Sequence, residues 1–494
     1  MSSPGRPKSE FRSAQHEGSP MSDVLIRHAA AILTGERGDG ARVSGPDIRV
    51  RGGQITAIGM LAPEPGEATI DATDCVVYPA WVNTHHHLFQ SLLKGEPQGL
   101  NATLTPWLAA TPYRFRGGFD AQRFRLAARI GLVELALSGC GTVADHNYLY
   151  YPGMPFDASA ILFDEAERLG LRFVLCRGGA TLTRQLEAEL PLALRPETLD
   201  AYLADLQRLA AAYHDPAPDA RRRIVAAPTT PLFAMRPAEL RETVQAARGL
   251  GLRLHSHLSE TVNYQDAAHA QHGSSPIRFA HEVGFLGADV WFAHLVKLDA
   301  DEIALLGSTG TGIAHCPQSN GRLGSGIAPV RALEDAGVAV SIGVDGAGSN
   351  EAADMISEVH AAWLMARARG GEAARAQCHG GDGEAGANDA TVEDVVRWGT
   401  AGGAKVLGLD GIGRLQPGMA ADIAIYALDH DPRHFGLHDV AVAPVASGGR
   451  AHLKALLVGG HRVVEHGAVP GLDMAELARQ ARTAVRELQA QARA

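Results

Sequence analysis

The run Val76-Val77-Tyr78-Pro79-Ala80-Trp81-Val82-Asn83-Thr84-His85-His86-His87 decides the fold, because it is apolar first and polar at its C-terminal end. Seven later runs repeat the pattern: GTVADHN (141–147), RFVLCRG (172–178), RIVAAPTT (223–230), LRLHSHLSE (252–260), DVWFAHLV (289–296), TGIAHCPQSN (311–320) and VAVSIGVDG (338–346). Helical patterns such as FRLAARIGLVELALSG (124–139) and DEAERLGLRF (164–173) lie between them, and that alternation implies βα units around a parallel sheet. Eight strands close a (β/α)8 barrel, which carries its site on the C-terminal ends of the strands. An open doubly wound sheet would not so readily gather polar ends from all eight.

Outward from that core, the segment from Val24 to Pro79 alternates short apolar runs with Gly-, Asp- and Pro-rich turns. The same texture returns in ADIAIYALD (421–429) and LKALLVGGHRVVEHG (453–467), so the two ends are expected to share one small β-sandwich. The implied organisation is a disordered leader over 1–20, a sandwich from 21–79 plus 404–470, a barrel over 80–403 and a C-terminal helix over 471–494. A Gly- and Ala-rich stretch at 370–390 reads as a mobile surface loop.

Composition narrows the function. The 494 residues are 46% hydrophobic and 20% charged, the range of soluble globular chains. A formal charge of -10 leaves no electrostatic footprint for nucleic acid or an anionic membrane, which points to a small-molecule partner. Cys75, Cys140, Cys176, Cys316 and Cys378 are scattered and odd in number, which argues against a disulfide framework and for the reducing cytoplasm. No apolar run reaches the ~18 residues of a membrane span. A homo-oligomer is expected from the size class alone.

Strand alternation puts His85 and His87 on one face at the barrel mouth, where two imidazoles can bind one divalent metal. The fifth strand ends in His255-Ser256-His257-Leu258-Ser259-Glu260, the sixth in Ala293-His294 and the eighth in Val344-Asp345-Gly346. Ligand-type residues at four separate strand ends are hard to obtain as independent accidents. His86 alternates the other way, towards the outer layer.

Together the motifs NTHHHLFQSLLKG (83–95), HSHLSE (255–260), AHCPQSN (314–320) and VDGAGSNEAADM (344–355) resemble the amidohydrolase superfamily from about Val24 to Gly467. They are most similar to its aminohydrolase branch acting on purines, pterins and triazines, and within it to the isoxanthopterin deaminases, with 8-oxoguanine deaminases as neighbours. The resemblance implies a metal-dependent deaminase. It implies His85, His87, His257 and Asp345 as metal ligands, and Glu260, His294 and Asp345 as catalytic groups. Binuclear members bridge their ions with a carboxylated lysine, yet no lysine lies between Lys94 and Lys297. One ion is therefore expected, zinc first with iron or manganese as alternatives; Cys176 at the end of strand three leaves a second bridge open.

In the implied reaction, Asp345 accepts the proton of a metal-activated water and passes it to the leaving amine. His294 orients the water, and Glu260, with a raised pKa, protonates a ring nitrogen. Gln90 is a candidate to read the ring edge or to cap the next helix. Arg184 is placed by the resemblance where a guanidinium could bind a distal carbonyl. Trp107 and Tyr113 could stack on a flat bicycle or pack in the core. The expected reaction is deamination of isoxanthopterin. Attack on 8-oxoguanine or on an s-triazine is the alternative, and a non-catalytic scaffold the remote one.

Overall fold

The computed structural model describes residues 23–183, 194–377 and 390–493. Eight parallel strands form one sheet in consecutive order: β1 (Trp81–Asn83), β2 (Cys140–Asn147), β3 (Arg172–Gly179), β4 (Arg222–Pro228), β5 (Arg253–Leu258), β6 (Val290–His294), β7 (Gly312–His315) and β8 (Val340–Ile342). All eight expected strands are present. The sheet closes on itself where Thr84 N donates to Ile342 O at 3.0 Å and Asp345 N donates to His85 O at 3.0 Å, around the parallel bridge of His86 and Asp345. Closure thus sits directly beneath the predicted ligands.

The first run divides where one strand was expected. Cys75–Pro79 pairs antiparallel with Ile423–Ala427, while the chain turns at Ala80 to enter β1. Proline lacks a backbone N–H, so Pro79 ends the outer pairing at low cost. The two termini do share a sandwich. Four strands between Val24 and Asp71 face a five-stranded sheet completed by Ile423–Ala427, His452–Val458 and His461–Glu465. Ile26, Val50, Val77, Ile425 and Leu457 fill the space between the two sheets.

The sandwich is pinned to the barrel. Trp81 Nε1 donates to Tyr426 Oη at 2.8 Å, and that hydroxyl donates to Ser138 O at 2.7 Å. All three residues are buried, so each polar atom needs its partner. The helix Met474–Gln491 lies on the helix Ala121–Leu137, with Leu477, Ala484 and Leu488 turned inward. The stretch 370–390 is not all loop: the helix Met355–Gln377 continues through its first eight residues, as its Ala and Arg content favours, and 378–389 lie outside the described residues. So does the leader 1–20.

Candidate metal and catalytic site

At the C-terminal mouth, His85 and His87 just beyond β1, His257 near the end of β5 and Asp345 after β8 each offer one ligand atom, all within 4.8 Å of one another. His87 Nε2 lies 3.2 Å from His257 Nε2 and 3.2 Å from Asp345 Oδ1; His85 Nε2 lies 3.3 Å from the same oxygen. Ligands about 2.0–2.1 Å from a tetrahedral ion stand about 3.3 Å apart, so these edges match one such polyhedron.

Carbonyls dictate which nitrogens face inward. His87 Nδ1 donates to His146 O at 2.7 Å and His257 Nδ1 donates to Thr229 O at 2.7 Å. A carbonyl only accepts, so each Nδ1 carries the proton and each Nε2 of the neutral ring presents a lone pair. Burial pushes the His85 pKa down to about 4 and holds that of His257 well below the ordinary histidine value. Bare lone pairs this close to a carboxylate repel one another unless a positive charge sits among them. His85 Nε2 is buried without a hydrogen-bond partner, which fits the same cation.

Asp345 is fixed by Ser319 Oγ donating to Oδ2 at 2.6 Å and Gly346 N donating to Oδ1 at 2.7 Å. Glu260 is also buried; Ser325 Oγ donates to its Oε1 at 3.1 Å, and its Oε2 faces His294 Nε2 at 3.7 Å. Desolvation raises the Glu260 pKa, as a group that must hold a proton requires. His294 Nδ1 donates to Asn320 Oδ1 at 2.9 Å, which aims Nε2 at Glu260. Backbone strain collects here, with φ of 78° at His294 and 60° at Asp345.

His86 turns outward: its Nδ1 bonds Asp345 O, and its Nε2 lies beside Gly131 on the helix Ala121–Leu137. Cys176 packs with Val82, Ala144 and Trp291, and burial pushes its thiol well above the usual range. Among the described residues, neither group of converging ligand atoms includes Cys176.

The residues expected to read substrate fare differently from one another. Gln90 is fully buried; its Nε2 donates to Tyr148 Oη at 2.8 Å, and its Oε1 presses on the 346–348 turn so closely that a Cβ at Gly346 would sit 2.0 Å away. Tyr148 in turn packs on the His87 ring, with centroids 4.9 Å apart. Trp107 is buried and donates through Nε1 to Gly348 O at 2.8 Å, so it braces the turn after Asp345 where an open stacking face was one expectation. Tyr113 lines a narrow cleft with Arg116, Tyr148, Tyr150 and Thr229. Arg184 lies outside the described residues.

Sequence reasoning gave no role to Ser319 or Ser325, or to the carbonyls of His146 and Thr229. Only the motif AHCPQSN carried a signal for the first. Backbone acceptors leave none, because any residue type supplies them.

A model of the amidohydrolase family matches residues 76–463. The chain is 69% identical to an isoxanthopterin deaminase from an unknown prokaryotic organism over 468 residues, covering 94% of this chain and 97% of that one. It is 37% identical to an 8-oxoguanine deaminase of Pseudomonas aeruginosa over 95% of this chain and 99% of the other. Among solved structures, an atrazine chlorohydrolase from Arthrobacter aurescens complexed with zinc superposes with a TM-score of 0.83 at 27% identity, covering 94% of this chain and 100% of that one. With the barrel, the converging ligand atoms and a family match over most of its length, the chain belongs to the amidohydrolase family.

Proposed function

We propose that this chain is a hydrolytic deaminase of isoxanthopterin, working with one divalent ion, zinc by preference, held by His85, His87, His257 and Asp345. The observation that carries this reading is the convergence of three imidazole nitrogens and one carboxylate beside the Glu260–His294 pair, in a chain 69% identical to an isoxanthopterin deaminase. Zinc is supported by the relative solved with it, and a single ion by the packing of Cys176 away from the converging ligand atoms.

When bound, the ion lowers the pKa of water towards ~7 and so supplies a nucleophile at neutral pH. The rest is the work of the chain. Water adds to the ring carbon bearing the amino group, that C–N bond breaks, and ammonia leaves as the carbonyl forms. Asp345 takes the proton from the water and returns it to the departing amine. His294, its ring fixed by Asn320, orients the water. Glu260 donates to the ring nitrogen beside the attacked carbon and recovers a proton from the hydroxyl as the carbonyl forms, and its raised pKa suits it to both. Tyr113 flanks the flat ring, Gln90 holds Tyr148 against His87, and Arg184 reads the distal carbonyl. The four described cysteines are unpaired and buried, which supports a reducing, cytoplasmic setting. Among the described residues no helix is long and apolar enough to cross a membrane.

Ammonia release from isoxanthopterin, 8-oxoguanine and hydroxylated or chlorinated s-triazines tests the assignment. The expected kcat/KM for isoxanthopterin is at least about tenfold above the others. An equal or higher value for any of them removes the pterin assignment, and no turnover with added zinc favours a scaffold.

A further inference from the structure

We infer that His255 is a positioning residue for the metal site, fixing the proton of His85 on Nδ1 so that the Nε2 lone pair of His85 faces the ion. The inference rests on the reading of His85 as a ligand. His255 and His257 share one face of β5, two residues and thus roughly 6–7 Å apart along the strand. His257 reaches the mouth, and His255 lies one layer deeper, fully buried.

The proton arrangement follows from one carbonyl. His255 Nδ1 lies 2.9 Å from Trp291 O on β6, and an oxygen of that kind can only accept. His255 therefore holds its proton on Nδ1 and presents a lone pair at Nε2. His85 Nδ1 sits 2.8 Å from that lone pair, hydrogen-bond length, so His85 is the donor. Its Nε2 is then bare, beside Asp345 Oδ1. His87 and His257 rest their Nδ1 atoms directly on carbonyls; His85 reaches one through His255.

Trp291 braces both ends of this relay. Its ring stacks on His255, with centroids 4.5 Å apart and planes at 19°, and its Nε1 donates at 3.2 Å to the carbonyl of Thr84, the residue before His85.

The same atoms admit a rival arrangement, since His85, His146 and His255 also offer ligand atoms within 4.8 Å of one another, as a second cation would need. Distance decides against it. Two nitrogens on one tetrahedral zinc stand about 3.3 Å apart, whereas His85 Nδ1 and His255 Nε2 are at 2.8 Å, hydrogen-bond length. Binding ions through both nitrogens would also strip His85 of its last ring proton.

Zinc content of the full chain purified without chelator, and zinc affinity by chelator competition, test the relay in the wild type, His255→Phe and His255→Gln. Circular dichroism of the metal-free forms reports folding. The wild type is expected to bind one equivalent. Phenylalanine removes the acceptor and should weaken zinc roughly 10–100-fold. Glutamine can set its amide oxygen where Nε2 stood, and should stay within about threefold of wild type; a role in packing alone predicts the reverse order.

A folded His255→Phe chain with wild-type affinity overturns the relay, and so does His255→Gln binding as weakly as His255→Phe. A second tight equivalent in the wild type that His255→Phe loses also overturns it. If His255→Phe does not fold, His255→Gln decides: affinity near wild type supports the relay, and a loss of tenfold or more removes it. A folded wild type that takes up no zinc brings down the ligand reading of His85 itself, a result distinguishable from failure of the relay alone.

Discussion

The two ends of the barrel both bury charged side chains and treat them in opposite ways. At the floor, where the sandwich docks, the strand-start arginines find acceptors, with the Nε of Arg223 alone among theirs left without one. Arg172 pairs with Asp422 through Nε at 2.7 Å and a second nitrogen at 3.1 Å, and Asp422 also accepts from Gly459 N at 2.6 Å. Arg223 donates to the carbonyls of Pro216, Ala217 and Gly408, and Arg253 to that of Val406. At the mouth, imidazole lone pairs face one another and a carboxylate, and the backbone at His294 and Asp345 is strained.

Space points the other way. The cavity at the floor is about 680 Å³, lined by Arg172, Tyr213, Arg221 and His461 among others, whereas the mouth cleft beside Tyr113 is about 20 Å³. Unmet electrostatic demand, and not volume, separates the chemical end from the structural one.

The contrast can be broken most forcefully at Asp345. Asp345→Asn removes the one anionic ligand and the proton carrier together. Ammonia release should fall by about 10⁴-fold or more, with circular dichroism unchanged. Full activity of the zinc-loaded variant would dissolve the distinction between the two ends.

Glu260→Gln keeps the shape and loses the proton, so kcat should drop about 10²–10⁴-fold while zinc content stays at the wild-type level. A drop in zinc instead would make Glu260 a ligand.

The floor should answer with stability alone. Arg172→Met leaves Asp422 buried and unpaired, a loss of about 3–5 kcal/mol in denaturant unfolding, with kcat per folded chain nearly unchanged. A large fall in kcat per folded chain would couple the ends.

The smallest effect sharpens the mouth. Asp145, on β2 beneath His87, is buried; Leu88 N donates to its Oδ1 at 2.7 Å, and desolvation pushes its pKa up to about 7. The folded chain therefore holds this proton at a pH where the unfolded chain has released it. That contribution is complete below about pH 4 and fades as pH rises towards 7. Asp145→Asn should flatten the fall of metal-free stability between pH 4 and 7 by about one proton. An unchanged slope would place the titration elsewhere.

Much of this was legible in the chain. Eight apolar-then-polar runs carried the barrel, because a strand buried on both sides must be apolar until it reaches the mouth. His85 and His87 followed from alternation. His255 and His257 did not separate that way, since period two puts both on one face, and depth along the barrel axis is a property of register with β4 and β6. The division at Ala80 was hidden because Cys75–Pro79 and Trp81–Asn83 are equally apolar and buried. Trp107 was ambiguous for a different reason: a loop aromatic has no periodic neighbours to say which way it turns, and its partner Gly348 stands 241 residues away.

The pin from Trp81 to Tyr426 spans 345 residues, and the strand feeding β1 takes its antiparallel partner from the same distant segment. On a ribosome adding about 5–20 residues per second, that partner emerges roughly 20–70 s after Trp81. Throughout that interval Cys75–Pro79 presents an open hydrogen-bonding edge. Birth order thus makes the last part of the polypeptide the latch on the first, and a message truncated before residue 423 would yield barrel strands whose floor lacks the partner of Cys75–Pro79.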